Sequence, residues 1–211
     1  MNYYVSIALL WKGYSALEAT VDKLAGRIPW THHLVPLGAR HCTLYAIAQL
    51  RGFDGSYSTP AEAMRSMLER LPRAGVEKIL QVHLGHFRIR PSEFRIYENS
   101  SSIQFLVERG SVDLMRKDLS NLFAGFSLPP DNFTRVDFPI WDKHKNQGDR
   151  LFGSFARRLE PNDDNPLLHR ESLCEIAPFE PESVQITVSD DALTNIREPN
   201  RDYFIVPLDQ G

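Results

Sequence analysis

Arg40-His41-Cys42-Thr43-Leu44-Tyr45-Ala46-Ile47 is a largely apolar stretch that carries a histidine two positions before a threonine. Its composition predicts a buried strand, in which successive side chains point to opposite faces of the sheet. His41, Thr43 and Tyr45 would then share one face, and the residues between them the other. An imidazole beside a hydroxyl suits the binding of a phosphate and the movement of a proton. We therefore expect this stretch to organise both the fold and the functional site.

The composition is that of a globular protein, with 42% hydrophobic and 24% charged residues among 211. A chain of this length can bury a sizeable core, and we expect a single domain over residues 1–211. The net charge of −3 argues against a broad electropositive surface for non-specific nucleic-acid binding. A small nucleotide or a short RNA end in a local pocket remains compatible with this charge.

The cysteines and histidines give no metal-binding pattern. Cys42 and Cys174 are the two cysteines and lie far apart in the chain, which argues against a disulfide framework and a cysteine-based zinc site. His32 and His33 are adjacent on a predicted strand, so their side chains point apart and cannot chelate one ion together. We expect no metal and no other cofactor.

The first residues, Met1-Asn2-Tyr3-Tyr4-Val5, lack the basic region and long apolar run of a signal peptide. No stretch has the apolar length that a membrane-spanning helix requires. We expect a cytoplasmic protein without a membrane partner.

Local patterns predict a chain that mixes strands and helices. Capping boxes at Ser15–Glu18 and Thr59–Glu62, and a serine cap at Ser111, predict three helix starts. Strands are predicted at 2–9, 31–36, 39–50, 79–89, 94–97, 102–107, 151–159, 184–188 and 203–208. The residues from Ser127 to Gly148 predict a long surface loop, a candidate lid over a cleft that carries His144.

The two halves of the chain share a pattern. Each offers strands, a helix and then an apolar strand that carries a hydroxyl: His41-Cys42-Thr43 in the first half and Phe152-Gly153-Ser154 in the second. The chain thus repeats at the scale of half its length.

On these residues the chain resembles the two-histidine phosphoesterase superfamily, which includes the LigT-like 2′-5′ RNA ligases and cyclic phosphodiesterases. The resemblance implies an α+β fold of two pseudo-symmetric lobes, each an antiparallel sheet with outer helices, around a central cleft. That family carries two His-x-Thr/Ser motifs, one in each lobe, which face each other across the cleft. His41-Cys42-Thr43 matches the first motif. In the second, Ser154 keeps the hydroxyl, but Phe152 stands where the histidine belongs.

The resemblance implies a metal-independent phosphodiesterase that acts on a cyclic phosphodiester of a nucleotide or RNA end. His41 would be the general base or general acid, and Thr43 and Ser154 would hold the phosphate oxygens. With Phe152 in place of the second histidine, one of the two proton-transfer roles is unfilled, and such a loss typically costs about 10²–10⁴-fold in rate. His144 is the candidate to fill it.

Two further readings stay open. The chain could be a degenerate member of the family that binds a nucleotide or an RNA ligand without turning it over, or a purely structural domain. Phe152 is either a core residue or, on the cleft face, a platform on which a base stacks. Tyr45 either lines the pocket or fills the core. The expected partner is a nucleotide or short RNA with a cyclic or 2′-5′ phosphodiester, and no protein partner is expected.

Overall fold

The computed structural model describes residues 3–11, 13–29, 31–35, 40–50, 66–126, 133–135, 150–158, 164–190 and 205–208. The chain has an α+β fold in which antiparallel strands form one extended sheet. The strands are β1 (Tyr3–Leu10), β2 (His33–Leu34), β3 (His41–Leu50), β4 (Arg88–Tyr97), β5 (Ser100–Arg109), β6 (Phe133–Arg135), β7 (Arg150–Arg157), β8 (Leu167–Ser172), β9 (Ser183–Asp190) and β10 (Ile205–Pro207). The helices described in full are α1 (Ser15–Ala25), α2 (Arg73–Leu84) and α3 (Val112–Ala124), and residues 66–70 are also helical.

The sheet runs in the order β10-β9-β1-β3-β7-β5-β4-β8, with β2 paired to β7 and β6 paired to β3. It divides in the middle, because Cys42 opposite Gly153 is the single residue pair recorded between β3 and β7 in the described part of the chain. We call β10, β9, β1 and β3 the first half-sheet, and β7, β5, β4 and β8 the second half-sheet. The two correspond to the two lobes expected from the sequence.

Alternation along the strands gives each half-sheet an apolar and a polar face. Val5, Ile7 and Leu9 of β1 are fully buried on the first half-sheet, as is Phe94 of β4 on the second. These residues belong to one hydrophobic cluster with the buried faces of the helices. We call this helix-covered side the outer face and the opposite side, which lines the cleft, the inner face.

Contacts of α3 and of the turn after α1 cross from one half-sheet to the other. α3 follows β5 of the second half-sheet, yet its Phe123 stacks on Tyr45 of β3 with ring centroids 5.7 Å apart. α1 follows β1 of the first half-sheet, yet Arg27, just after it, hydrogen-bonds His169 of β8 at 3.0 Å and forms an ion pair with Glu171. α3 therefore packs on a strand of the first half-sheet, and the turn after α1 is tied to the edge strand of the second.

Three local predictions need correction. Residues 79–84 are not strand but the last turns of α2, whose buried residues Val76, Leu80 and Leu84 recur every fourth position. Pro91 does not break the strand but lies inside β4, where a register shift between Pro91 and Glu93 accommodates it. Residues 133–135, predicted as loop, pair with β3 as β6.

The helix starts follow the predictions in part. Ser111 caps α3, since its hydroxyl accepts a hydrogen bond from the Leu114 amide at 3.3 Å. Ser15 is instead the first residue of α1, and Glu18 accepts the Gly13 amide at 2.7 Å rather than closing a box with Ser15. The predicted box at Thr59 lies outside the described residues. Among the helices that are described, none combines the length and apolarity needed to cross a bilayer.

Candidate functional site

The two half-sheets meet at Gly153, where the chain has no room for a side chain. A Cβ atom there would lie 2.9 Å from the Trp11 indole nitrogen and 3.3 Å from the Cys42 sulfur. The contact joins β3 and β7 on the outer face and so fixes which residues of the two strands meet on the inner face. Cys42 is fully buried, and burial raises the pKa of its thiol, so it is not a nucleophile at neutral pH.

The inner face at this junction carries His41, Thr43, Phe152 and Ser154. Continuing the antiparallel register by one residue on either side of the Cys42–Gly153 pair sets His41 beside Ser154 and Thr43 beside Phe152. His41 is 3% exposed, whereas the other three side chains are partly open to solvent. The structure thus brings the first predicted motif and the hydroxyl of the second onto the same face, at the line where the half-sheets join.

The first half-sheet continues this face with small and polar residues. Thr43 pairs with Ala8 of β1, and Ala8 pairs with Gln185 of β9. Next to that row lie Ser6 and Thr187, which are both 2% exposed. The Ser6 hydroxyl oxygen and the Gln185 side-chain oxygen are buried without a hydrogen-bond partner among the described residues. Buried polar atoms without partners are rare in folded proteins.

The second half-sheet continues the inner face with two rows of polar residues. In one, Ser154 pairs with Ser102 of β5, which pairs with Arg95 of β4. In the other, Phe152 pairs with Gln104, which pairs with Glu93. Gln104 is 4% exposed, and its side-chain oxygen likewise has no partner among the described residues.

Arg95 is held rigidly on this face. Its Nε and Nη2 donate to one oxygen of Glu93 at 2.7 and 2.5 Å, and its Nη1 donates to the Tyr97 hydroxyl at 3.4 Å. The guanidinium carbon lies 5.9 Å from the centroid of the Phe152 ring, within cation–π range. Burial alone would lower the pKa of Arg95, but the hydrogen bonds to Tyr97 and Glu93 outweigh it and the pKa is raised. Arg95 therefore keeps its positive charge beside Phe152.

Tyr45 does not lie with His41 and Thr43 as predicted. The pairing with β1 skips Leu44, because Ala8 lies opposite Thr43 and Ile7 lies opposite Tyr45. This β-bulge shifts the alternation by one residue and turns Tyr45 to the outer face, where it is 4% exposed in the main hydrophobic cluster. Tyr45 is a core residue and not a pocket residue.

Two other expectations concern His144 and metal ions. His144 lies outside the described residues, so its expected place over the cleft is a prediction still. Over the described ranges there is no group of three or more histidine, cysteine or acidic side chains that could hold a metal ion.

A separate pocket of about 230 Å³ opens beside the first half-sheet. Its lining includes Leu10, which pairs with His41, and Gln185. Gly13, Tyr14, Glu180, Glu182 and Ser183 complete its lining. Burial, and then the charge of Glu182, raise the pKa of the Tyr14 hydroxyl to about 12, so Tyr14 stays neutral. None of these residues belongs to the polar rows of the second half-sheet, so the pocket is distinct from those rows.

Comparison with known proteins supports the fold alone. The Thermus thermophilus protein TT0787, known from a crystal structure, superimposes with a TM-score of 0.52 over 98% of both chains, at 12% sequence identity. This chain is thus similar in fold to TT0787 along almost its whole length. No family model and no curated protein matches the sequence.

Reasoning from sequence missed the contribution of β4 to the site. The signal was present, because Glu93, Arg95 and Tyr97 alternate with the apolar Phe94 and Ile96. That alternation predicts a strand with one buried face and one polar face. It does not reveal that the polar face lies two strands away from Ser154.

Proposed function

We propose that the inner face at the junction of the half-sheets binds a cyclic phosphodiester of a nucleotide or RNA end and hydrolyses it without a metal ion. The observation that carries the proposal is the position of His41 and Thr43 next to Ser154 on one face. Hydroxyls from both half-sheets can donate hydrogen bonds to phosphate oxygens, and the imidazole can take a proton from the attacking water. The resemblance to the two-histidine phosphoesterases in these same residues supports this assignment.

The proposed chemistry has a single acid–base group. His41 accepts the proton of water as the water oxygen attacks phosphorus, and the bond to one ribose oxygen breaks. The leaving oxygen takes its proton from solvent water, because Phe152 cannot supply one, and His41 later returns its proton to solvent. We therefore expect slow turnover, lower by about 10²–10⁴-fold than that of a site with both groups.

Replacing His41 tests this function. Hydrolysis of 2′,3′-cyclic nucleotides should persist in EDTA and fall by about 10²-fold or more in His41→Ala, because the general base is gone. His41→Asn keeps a polar side chain at this buried position, and His86→Ala, an exposed histidine after α2, is the matched control. Activity that survives both His41 variants, or that EDTA abolishes, would contradict the proposal.

A second candidate function, ligand binding without turnover, is favoured by Phe152. Its ring centroid lies 5.9 Å from the Arg95 guanidinium carbon, and the residue pairs across the strands with Gln104, whose side-chain oxygen has no partner among the described residues. An aromatic ring and a nearby amide suit the stacking and hydrogen bonding of a base. In this case the cleft would bind nucleotide or RNA, and the wild-type protein would show no hydrolysis.

The variant Phe152→His separates the two candidates. A histidine there restores a proton donor beside Ser154, so we expect the hydrolysis rate to rise by about 10²–10⁴-fold. The nearby charge of Arg95 disfavours the protonated imidazole, so the gain should be larger toward acidic pH. Phe152→Tyr, which keeps the aromatic ring, is the control. If Phe152→His gains nothing over Phe152→Tyr, Phe152 does not occupy the second histidine's place.

A further inference from the structure

The charged cluster on β4 and β8 has more positive than negative charge. Glu93 lies between two arginines, with its Oε2 atom 2.5 Å from Nη2 of Arg95 and 3.7 Å from Nε of Arg170. Arg170 is the strand neighbour of Arg95, so both guanidinium groups lie on the inner face. Two arginines and one glutamate leave a net charge of one positive unit, which matches the single negative charge of a phosphodiester.

The guanidinium of Arg95 has more hydrogen-bond donors than its bonds to Glu93 and Tyr97 use. Arginine carries five N–H groups. The bonds to Glu93 and Tyr97 use Nε–H and one N–H on each terminal nitrogen. One N–H on Nη1 and one on Nη2 have no partner among the described residues. Two parallel donors of this kind bind two oxygens of a phosphate together.

The cluster is within reach of the predicted phosphate site. Arg95 and Ser154 are two strands apart in one row, with Ser102 between them. Neighbouring strands lie about 4.8 Å apart, so the two Cα atoms are about 10 Å apart, a gap that an arginine side chain and a phosphate can close. The guanidinium carbon lies 5.9 Å from the centroid of the Phe152 ring, so the side chain extends toward β7, the strand of Ser154.

We propose that Arg95, with Arg170 and Glu93, forms an anion subsite that binds the phosphate oxygens of the ligand beside Ser154. The inference rests on the proposed function in that it takes the ligand to be a phosphate ester bound on the inner face. It adds a residue that the resemblance to the two-histidine family does not supply. Arg95 provides charge where the second histidine would have provided both charge and a proton.

The test measures binding rather than turnover. Nucleoside 3′-monophosphates, which have the form of a reaction product, and the matching nucleosides are titrated by calorimetry. Arg95→Gln should weaken binding of the monophosphates by about 10- to 100-fold, as expected for the loss of charged hydrogen bonds, and leave the weak binding of the nucleosides unchanged. Arg95→Lys keeps the charge without the two parallel donors and should fall between wild type and Arg95→Gln.

Two variants serve as controls. Arg90→Gln removes another arginine of β4 that is paired with a glutamate, Glu108 at 2.5 Å, at about 15 Å along the strand from Arg95. It should bind as the wild type does. The double variant Glu93→Gln/Arg95→Gln removes both charges of the partly buried pair together, so a loss of binding with an unchanged melting temperature cannot come from misfolding.

The outcomes separate this inference from the proposed function. Unchanged affinity in Arg95→Gln and the double variant, equal losses in Arg90→Gln, or no binding of any monophosphate to the wild type would overturn the subsite. Selective loss in Arg95→Gln, in a protein that hydrolyses no cyclic nucleotide, would sustain the subsite and reject the hydrolysis. Hydrolysis that depends on His41 but not on Arg95 would sustain the proposed hydrolysis and reject the subsite.

Discussion

At the scale of the residue, Gly153 allows β3 and β7 to meet closely because it has no side chain. Its missing side chain lets the Trp11 indole and the Cys42 thiol close over the joint between β3 and β7. Gly153→Ala would push a methyl group to within 2.9 Å of the indole nitrogen, closer than packed atoms tolerate. We expect a loss of about 1–3 kcal/mol in the free energy of unfolding, together with weaker ligand binding, because the register of His41 against Ser154 depends on this joint.

The measurement is denaturant unfolding of Gly153→Ala beside Gly125→Ala. Gly125 follows α3 in a right-handed helical conformation with nothing within 4 Å of an added Cβ, so its alanine variant should keep its stability. If both variants unfold at the same denaturant concentration as the wild type, the tight joint is not a constraint on the fold.

At the scale of the element, patterns of one strand or helix were predictable where they were regular. β1, β3, β7 and β9 follow from alternating or continuous apolar residues, and the cap of α3 follows from Ser111. Tyr45 was misplaced because the bulge at Leu44 leaves no mark in the order of the residues. Strict alternation of side chains does not hold at Leu44, because β3 has one extra residue there.

The error in α2 has a different origin. Its last turns, Ile79 to Leu84, are rich in residues that also suit a strand, and the apolar run continues through Phe87 and Ile89. The spacing of Val76, Leu80 and Leu84 decides for a helix, because a period near four fits a helix and not a strand. Short apolar runs are ambiguous until this longer spacing is counted.

At the scale of the whole molecule, the two lobes were predictable from the sequence, and the contacts between them were not. The repeated strand with a hydroxyl pointed to two lobes, and the two half-sheets confirm them. Arg27 reaches β8 and α3 packs on β3 through contacts between residues more than seventy positions apart, such as Arg116 Nε to the Leu44 carbonyl oxygen at 3.0 Å. Local sequence patterns carry no record of such contacts.

The shared core predicts how the protein unfolds. Since both half-sheets contribute to one hydrophobic cluster and α3 packs on β3, neither half should be stable alone, and unfolding should be a single cooperative transition. Circular dichroism and tryptophan fluorescence should give coincident denaturant curves. Two resolved transitions, or a stable fragment of one half after limited proteolysis, would contradict this coupling.

The place of β1 between β3 and β9 also constrains the order in which the chain can fold. Tyr3 pairs with Leu50 on one side, 47 positions along the chain, and with Asp190 on the other, 187 positions along the chain. Closing so long a loop is slow, and folding rates fall as such distant pairings increase. During synthesis β1 and β3 can form a hairpin-like pair early, but its far edge stays open until β9 has left the ribosome. The strand that carries His41 is thus formed early, and the sheet that supports it is among the last parts to close.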